Sequence, residues 1–67
     1  MEMVSVKSSN VKAVGFEDNK LFVEYPGGTY VYEGVDKALY EKLLSAVSVG
    51  HFMNEEIKGR FNYSKIK

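Results

Sequence analysis

Cysteine is absent from this 67-residue chain, which also lacks tryptophan and has one proline and one histidine. Without cysteine the chain has no disulfide framework, no thiolate zinc ligand and no cysteine nucleophile. Small secreted domains usually depend on disulfides or metals, so we expect a cytoplasmic protein. A single histidine without clustered carboxylates also argues against a dedicated metal site. We therefore expect no cofactor and no metal.

Long apolar runs and an excess of charge of one sign are missing as well. No stretch approaches the ~20 apolar residues that span a bilayer. The first residues alternate between apolar and polar types, which is not typical of a signal peptide. We therefore expect a complete, soluble chain without membrane contact. Nine basic and nine acidic residues give a formal net charge of zero, which argues against strong non-specific polyanion binding.

What the chain does contain is enough apolar material for one small domain. Hydrophobic residues make up 45% of the sequence and aromatic residues 13%, a content that excludes a wholly disordered chain. At this length only about 60% of the surface of the unfolded chain can leave water. We therefore expect one core and a single domain over residues 1–67.

A period-two pattern of apolar residues over 11–35 predicts three antiparallel strands in a meander. The pattern is interrupted at Asp18-Asn19 and at Pro26-Gly27-Gly28, which are residue types that form tight turns. If the first turn has two residues and the second also has an even number of residues, one sheet face is mainly apolar. That face collects Val14, Phe16, Leu21, Val23, Tyr25, Tyr30 and Tyr32.

The opposite sheet face is predicted to be polar except for Phe22 and Val31, its only large apolar side chains. These two residues are a candidate contact for another protein or for a second copy of the chain. An unpaired edge strand would add to such a surface. The amino-terminal valines, Val4, Val6 and Val11, either extend the sheet as a fourth strand or lie along its edge.

Two short helices are predicted after the meander. Asp36 is a good N-cap, and apolar residues then recur at three- and four-residue spacing up to about Val47. Ser48 provides a second N-cap, and Gly59 is expected to end the second helix. Both helices are expected to pack on the tyrosine-bearing face, which gives an α+β domain of two layers. The face of the first helix predicted to be buried consists of Leu39, Tyr40, Leu43, Leu44 and Val47.

The carboxyl-terminal segment, residues 57–67, carries four basic residues and no acidic one, whereas residues 1–56 carry five basic and nine acidic residues. Aromatic residues lie among these cations and could stack on bases. The alternative is a solvated terminal strand that pairs with the acidic body of its own chain, because four charges are few for electrostatic binding. The candidate nucleic-acid contact consists of Lys58, Arg60, Phe61, Tyr63 and Lys65.

Two other groups of residues are interpreted as structural. Tyr25, Tyr30 and Tyr32 could stack bases as in sheet-surface RNA readers, but two amphipathic helices need an apolar surface to bury, which favours a core role. His51 lies three residues after Ser48. A capping serine has its oxygen committed to the backbone, and no third group orients the histidine. We therefore expect no enzymatic activity.

One ordered series of short segments consists of residues 6–11, 14–16, 21–23, 28–32, 40–44 and 46–50, with Asn54, Ile57 and Tyr63. This series resembles the KTSC domain, a module of about this length found at the carboxyl end of some lysyl-tRNA synthetases and as a free-standing bacterial or phage protein. Asp36, Met53 and Asn62 depart from the family pattern, which more often has Pro, Phe and Pro at these positions. The resemblance implies a KTSC-like domain over residues 1–67 and, through the synthetases, contact with RNA or tRNA.

Together these observations predict a small non-catalytic binding module. The first hypothesis is a contact with RNA or another nucleic acid through the basic carboxyl-terminal segment. The alternative is a protein-interaction or self-association module that uses Phe22 and Val31.

Overall fold

The structure is a computed structural model that describes residues 2–8 and 10–67. The five strands form one antiparallel sheet in the order β1-β2-β3-β4-β5. The strands are β1 (Val4–Ser5), β2 (Ala13–Glu17), β3 (Lys20–Tyr25), β4 (Gly28–Glu33) and β5 (Tyr63–Lys65). The helices are α1 (Lys37–Leu44) and α2 (Val49–Phe52), and a π-helical segment (Met53–Ile57) continues α2.

The predicted α+β meander with two short helices is confirmed, but the sheet has five strands instead of three or four. No helix within the described residues is long and apolar enough to cross a membrane. The amino-terminal segment does extend the sheet, because Val4 pairs with Val14. The fifth strand follows the helices, and it is the one that the meander pattern does not reveal.

The first hairpin turn has the two-residue form that the sequence predicts. Asp18 and Asn19 have φ values of 53° and 58°. A type I′ turn needs this left-handed backbone at both central positions, and Asp and Asn tolerate it. Phe16 consequently pairs with Leu21 across the turn. The predicted register of β2 and β3 is therefore confirmed.

The second hairpin turn keeps the tyrosines on the same face as the core. Its two central residues are Pro26 and Gly27, so Tyr25 pairs with Gly28. Tyr30 then lies opposite Val23, and Tyr32 lies opposite Leu21. Residues directly opposite in an antiparallel pair point to the same side of the sheet. The second turn therefore has an even number of central residues, and the prediction that it places the three tyrosines on the apolar face is confirmed.

The core lies between this sheet face and the helices. Asp36 Oδ1 accepts a hydrogen bond from the Leu39 amide at 2.8 Å, and Ser48 Oγ accepts one from the His51 amide at 3.2 Å, so both predicted N-caps are confirmed. Tyr40 stacks on Phe16 with 5.3 Å between ring centroids, which ties α1 to the end of β2. The buried cluster contains Val11, Val14, Leu21, Val23, Tyr32, Val35, Leu43, Val49, Met53 and Ile57.

The buried face of α1 is narrower than the sequence predicts. Leu44 is 41% exposed and Val47 is wholly exposed. The helix ends at Leu44 because the chain tightens there: the Ser45 amide donates to the carbonyls of both Glu41 and Lys42. Val47 therefore lies in the connection to α2 and not on a helical face. The prediction of burial at these two positions was wrong.

The carboxyl-terminal segment joins the sheet as its last strand. Lys58 follows the π-helical segment in extended conformation, and Gly59 has a φ of 83°, so the second helix ends next to Gly59 as predicted. In β5, Tyr63 pairs with Tyr32 and Lys65 pairs with Tyr30. This pairing brings the basic end of the chain to the edge of the tyrosine-bearing face.

Candidate functional site

Four tyrosines line an open groove of about 550 Å³ on the helix-bearing side of the sheet. This volume is within the range of roughly 300–1,000 Å³ that is typical of small-molecule sites. We call this feature the tyrosine groove. Its lining residues are Tyr25 from β3, Tyr30 and Tyr32 from β4, Tyr63 from β5, and Gly27, Lys58 and Gly59.

The tyrosine rings form one continuous aromatic surface. Tyr25 meets Tyr30 edge to face, with 5.5 Å between ring centroids and 78° between ring planes. Tyr63 lies 6.0 Å from Tyr30 and 5.6 Å from Tyr32. Tyr32 is 3% exposed, whereas Tyr63 is 61% exposed. Tyr25 and Tyr30 are half-buried. The groove therefore has a buried floor and an accessible ring at its β5 side.

A hydrogen bond fixes two of the tyrosine hydroxyls. The hydroxyl oxygens of Tyr25 and Tyr32 are 3.0 Å apart. Burial raises the pKa of Tyr25 far above its usual value, and the hydrogen bond with Tyr32 raises it further. Burial also raises the pKa of Tyr32, against a smaller lowering effect of the same hydrogen bond. Both phenols are therefore neutral and keep their hydrogens at physiological pH.

Lysine side chains flank this aromatic surface. The Lys58 ammonium lies 5.3 Å from the centroid of the Tyr25 ring, which is a cation–π contact. Lys65 pairs with Tyr30, and its side chain lies against Gly28, the neighbour of the lining residue Gly27. Both lysines are exposed. The arrangement presents stacking faces and positive charge in the same place.

Of the five residues predicted to contact nucleic acid, Lys58 and Tyr63 line the groove, and Lys65 pairs with the lining residue Tyr30. Phe61 is half-buried and packs against the core cluster. Arg60 is exposed and, like Phe61, is not part of the groove lining.

The sequence did not predict that the meander tyrosines belong to the same site as the basic segment. It assigned all three to the core, and only Tyr32 is fully buried there. Tyr25 and Tyr30 pack against the core on one side and line the groove on the other. The pairing of β4 with β5 creates this site, and three residues are too short a run to show a strand period in the sequence.

Phe22 and Val31 lie opposite each other on the sheet face that the helices do not cover. Phe22 is half-buried, whereas Val31 is only 9% exposed. Beside them are Gly15 on β2 and Ser64 on β5. Phe22 is therefore the accessible part of this pair.

Metal ligation has no visible basis in the part of the chain that the structure describes. Residues 2–8 and 10–67 contain no group of three or more His, Cys, Asp or Glu side chains placed to hold a metal ion. His51 is exposed beside Glu55 and Glu56, in a second groove between α1 and α2. Ser48 Oγ accepts from the His51 amide and serves as a helix cap.

Comparison with known proteins supports one family. The KTSC domain profile matches residues 7–61. A protein of Tsukamurella paurometabola is 37% identical over 62 residues, which cover 88% of this chain and 92% of that protein. The crystal structure of a KTSC domain protein from Yersinia pestis matches with a TM-score of 0.94 and 36% identity, covering 98% of this chain and 97% of that one. The chain therefore belongs to the KTSC domain family, as its resemblance predicted.

Proposed function

We propose that this chain is a small, non-catalytic module that binds single-stranded RNA in the tyrosine groove. The observation that carries the proposal is the convergence of accessible tyrosine rings and two lysines at one groove. Base stacking on an aromatic side chain contributes ~1–3 kcal/mol per base. Lysine ammonium groups bind the phosphates that connect the stacked bases.

The charge around the groove favours an anionic ligand over a cationic one. Aromatic cages bind organic cations, but here Lys58 already lies over the face of Tyr25. Residues 57–67 contain four basic residues and no acidic one. Among the described residues that line the groove there is no Asp or Glu to offset this positive charge for a second cation. A polyanion with aromatic bases is complementary both to the positive charge of the groove and to its tyrosine rings.

The same geometry favours single strands over duplexes. Bases can stack on protein rings only when they are not already stacked and paired within a helix.

Two flanking lysines and a net charge of zero imply few phosphate contacts. For two phosphates the logarithm of the binding constant should fall with the logarithm of salt concentration with a slope of about −1.4.

We place the module in the cytoplasm because it has no cysteine.

The test is binding of short single-stranded RNA pools, measured by fluorescence anisotropy at several salt concentrations. Charge reversal in the double variant K58E/K65E should weaken binding at least about tenfold, since it removes both phosphate contacts and adds repulsion. Y63A should weaken it by about fivefold or more through lost stacking. The matched control is K37E/K42E, which makes the same charge change on exposed positions of α1. This control should bind within about twofold of the wild type.

Two results would overturn the proposal. One is no binding to RNA pools at low salt, and the other is an equal loss in K58E/K65E and K37E/K42E, which would indicate only overall charge. The competing function is a protein contact through Phe22 and Val31, which share the uncovered sheet face. Absence of RNA binding, together with concentration-dependent sedimentation that F22S abolishes, would favour that function.

A further inference from the structure

We infer that the tyrosine groove reads a nucleobase by hydrogen bonds from the Tyr25–Tyr32 hydroxyl pair while the base stacks on the neighbouring rings. The inference rests on the proposed function, because it takes the ligand to be single-stranded RNA. It adds that the groove recognises the polar edge of a base and is not only a stacking surface. The observations that carry it are the 3.0 Å contact between the two hydroxyls and the position of both residues in the groove lining.

The first step is a count of hydrogen-bonding capacity. Each phenol has one O–H donor and lone pairs that accept. The bond between Tyr25 and Tyr32 uses one donor and one acceptor. One hydroxyl hydrogen and further lone pairs remain for a ligand. A base edge carries donors and acceptors side by side, so it can use both kinds of remaining capacity.

The second step concerns preorganisation. Tyr25 and Tyr32 hold each other's hydroxyls in place, and packing against the core holds the rings. A polar pair that is already positioned loses little conformational freedom when a ligand binds. Burial raises the pKa of both phenols, which favours the protonated form that carries the donor hydrogen.

The third step distinguishes the pair from the other rings of the groove. Tyr63 is the most accessible ring of the site and offers its face for stacking. Tyr30 joins the rings of Tyr25 and Tyr63 and provides further apolar surface. A base lying against these rings directs its edge toward the floor, where the buried Tyr32 lies. Stacking would then supply affinity, and the hydroxyl pair would select ligand bases that have a polar edge.

The experiment is a thermodynamic cycle on the full chain with two probes. One probe is a short oligouridylate, and the other carries difluorobenzene in place of uracil, which keeps the shape but removes the strong hydrogen-bonding groups. The wild type should prefer the uracil probe by about fivefold or more, the effect of one net hydrogen bond. The variant Y25F/Y32F should bind both probes equally. The matched control Y30F removes a hydroxyl outside the pair and should keep the preference.

The outcomes separate this inference from the proposed function. Equal binding of the two probes by the wild type, or an unchanged preference in Y25F/Y32F, would overturn the inference and leave RNA binding in place. Failure of the wild type to bind either probe or any RNA pool would overturn both. If circular dichroism shows that Y25F/Y32F does not fold, Y25F alone is the deciding variant, since Tyr25 is half-buried and its change opens the same hydroxyl pair. An unchanged preference in Y25F then also counts against the inference.

Discussion

Gly28 determines how closely the last strand can approach β4. Its φ is 152°, and a Cβ built at this position would lie 2.6 Å from the carbonyl oxygen of Lys67 and 2.7 Å from Cε of Lys65. The amide of Thr29 donates to that same Lys67 carbonyl. A side chain at position 28 would therefore push away the Lys65 side chain and the backbone that follows β5.

We predict that G28A lowers the free energy of unfolding by about 1–3 kcal/mol, because it adds backbone strain and a steric clash. The neighbouring variant G27A is the control, since a Cβ there has no atom within 4 Å. Its effect should be about 0.5 kcal/mol or less. Urea unfolding measures both, and hydrogen exchange at the Ile66 amide, which donates to Thr29, reports on the strand directly. Equal effects of the two substitutions would contradict this account of Gly28.

At the scale of elements, α1 shows how one helical face is divided between core and solvent. Leu43 is wholly buried, and the adjacent Leu44 is 41% exposed. Successive residues on a helix point about 100° apart, so a narrow buried stripe includes one of them and excludes the other. Apolar spacing alone predicts both as buried. In addition, α1 ends at Leu44, where the chain already turns toward α2.

The two leucines make a matched pair for measuring this division. L43A should destabilise the protein by about 2–5 kcal/mol, since it leaves a cavity in the core. L44A removes a partly solvated side chain and should cost less than about 1 kcal/mol. Thermal unfolding followed by circular dichroism gives both values. A similar loss in the two variants would mean that Leu44 is buried in solution.

The sequence predicts local elements of this fold well and the site only in part. The turn at Asp18-Asn19 and the caps at Asp36 and Ser48 follow from residues close together in the chain, and all three are confirmed. The sequence named Lys58, Tyr63 and Lys65, but it assigned the three meander tyrosines beside them to the core. That combination depends on the pairing of β5 with β4, a contact between distant segments.

For the whole molecule, buried phenols couple stability to pH. Burial raises the pKa of Tyr25 and Tyr32 above the ordinary value of 10.0. A group with a raised pKa in the folded state contributes its full stabilisation below its unfolded pKa. As pH rises past 10 the unfolded chain loses these protons first, so stability falls until the folded pKa is reached. Tyr40, whose pKa burial also raises, acts in the same direction.

We predict that the urea midpoint of the wild type falls as pH rises from about 9 to about 11, because the unfolded state ionises these phenols more readily than the folded state. The fall should be smaller in Y25F/Y32F, which retains Tyr40 as a residual source of pH dependence. The comparison is between slopes, so a change in overall stability caused by the substitutions does not affect it. Identical slopes would show that Tyr25 and Tyr32 ionise equally in both states.

Residue order alone was sufficient to predict the hairpins, the helix caps, the tyrosine-bearing face and the family. The hairpins, caps and tyrosine-bearing face depend on turn chemistry, capping and period-two or helical spacing, which act over a few neighbouring residues. The family follows from the resemblance of an ordered series of segments. Long-range packing was needed to make β5 the fifth strand and to bring Tyr63 beside Tyr30 and Tyr32. Such contacts form because distant segments bury surface together, and no local pattern specifies which segments will meet.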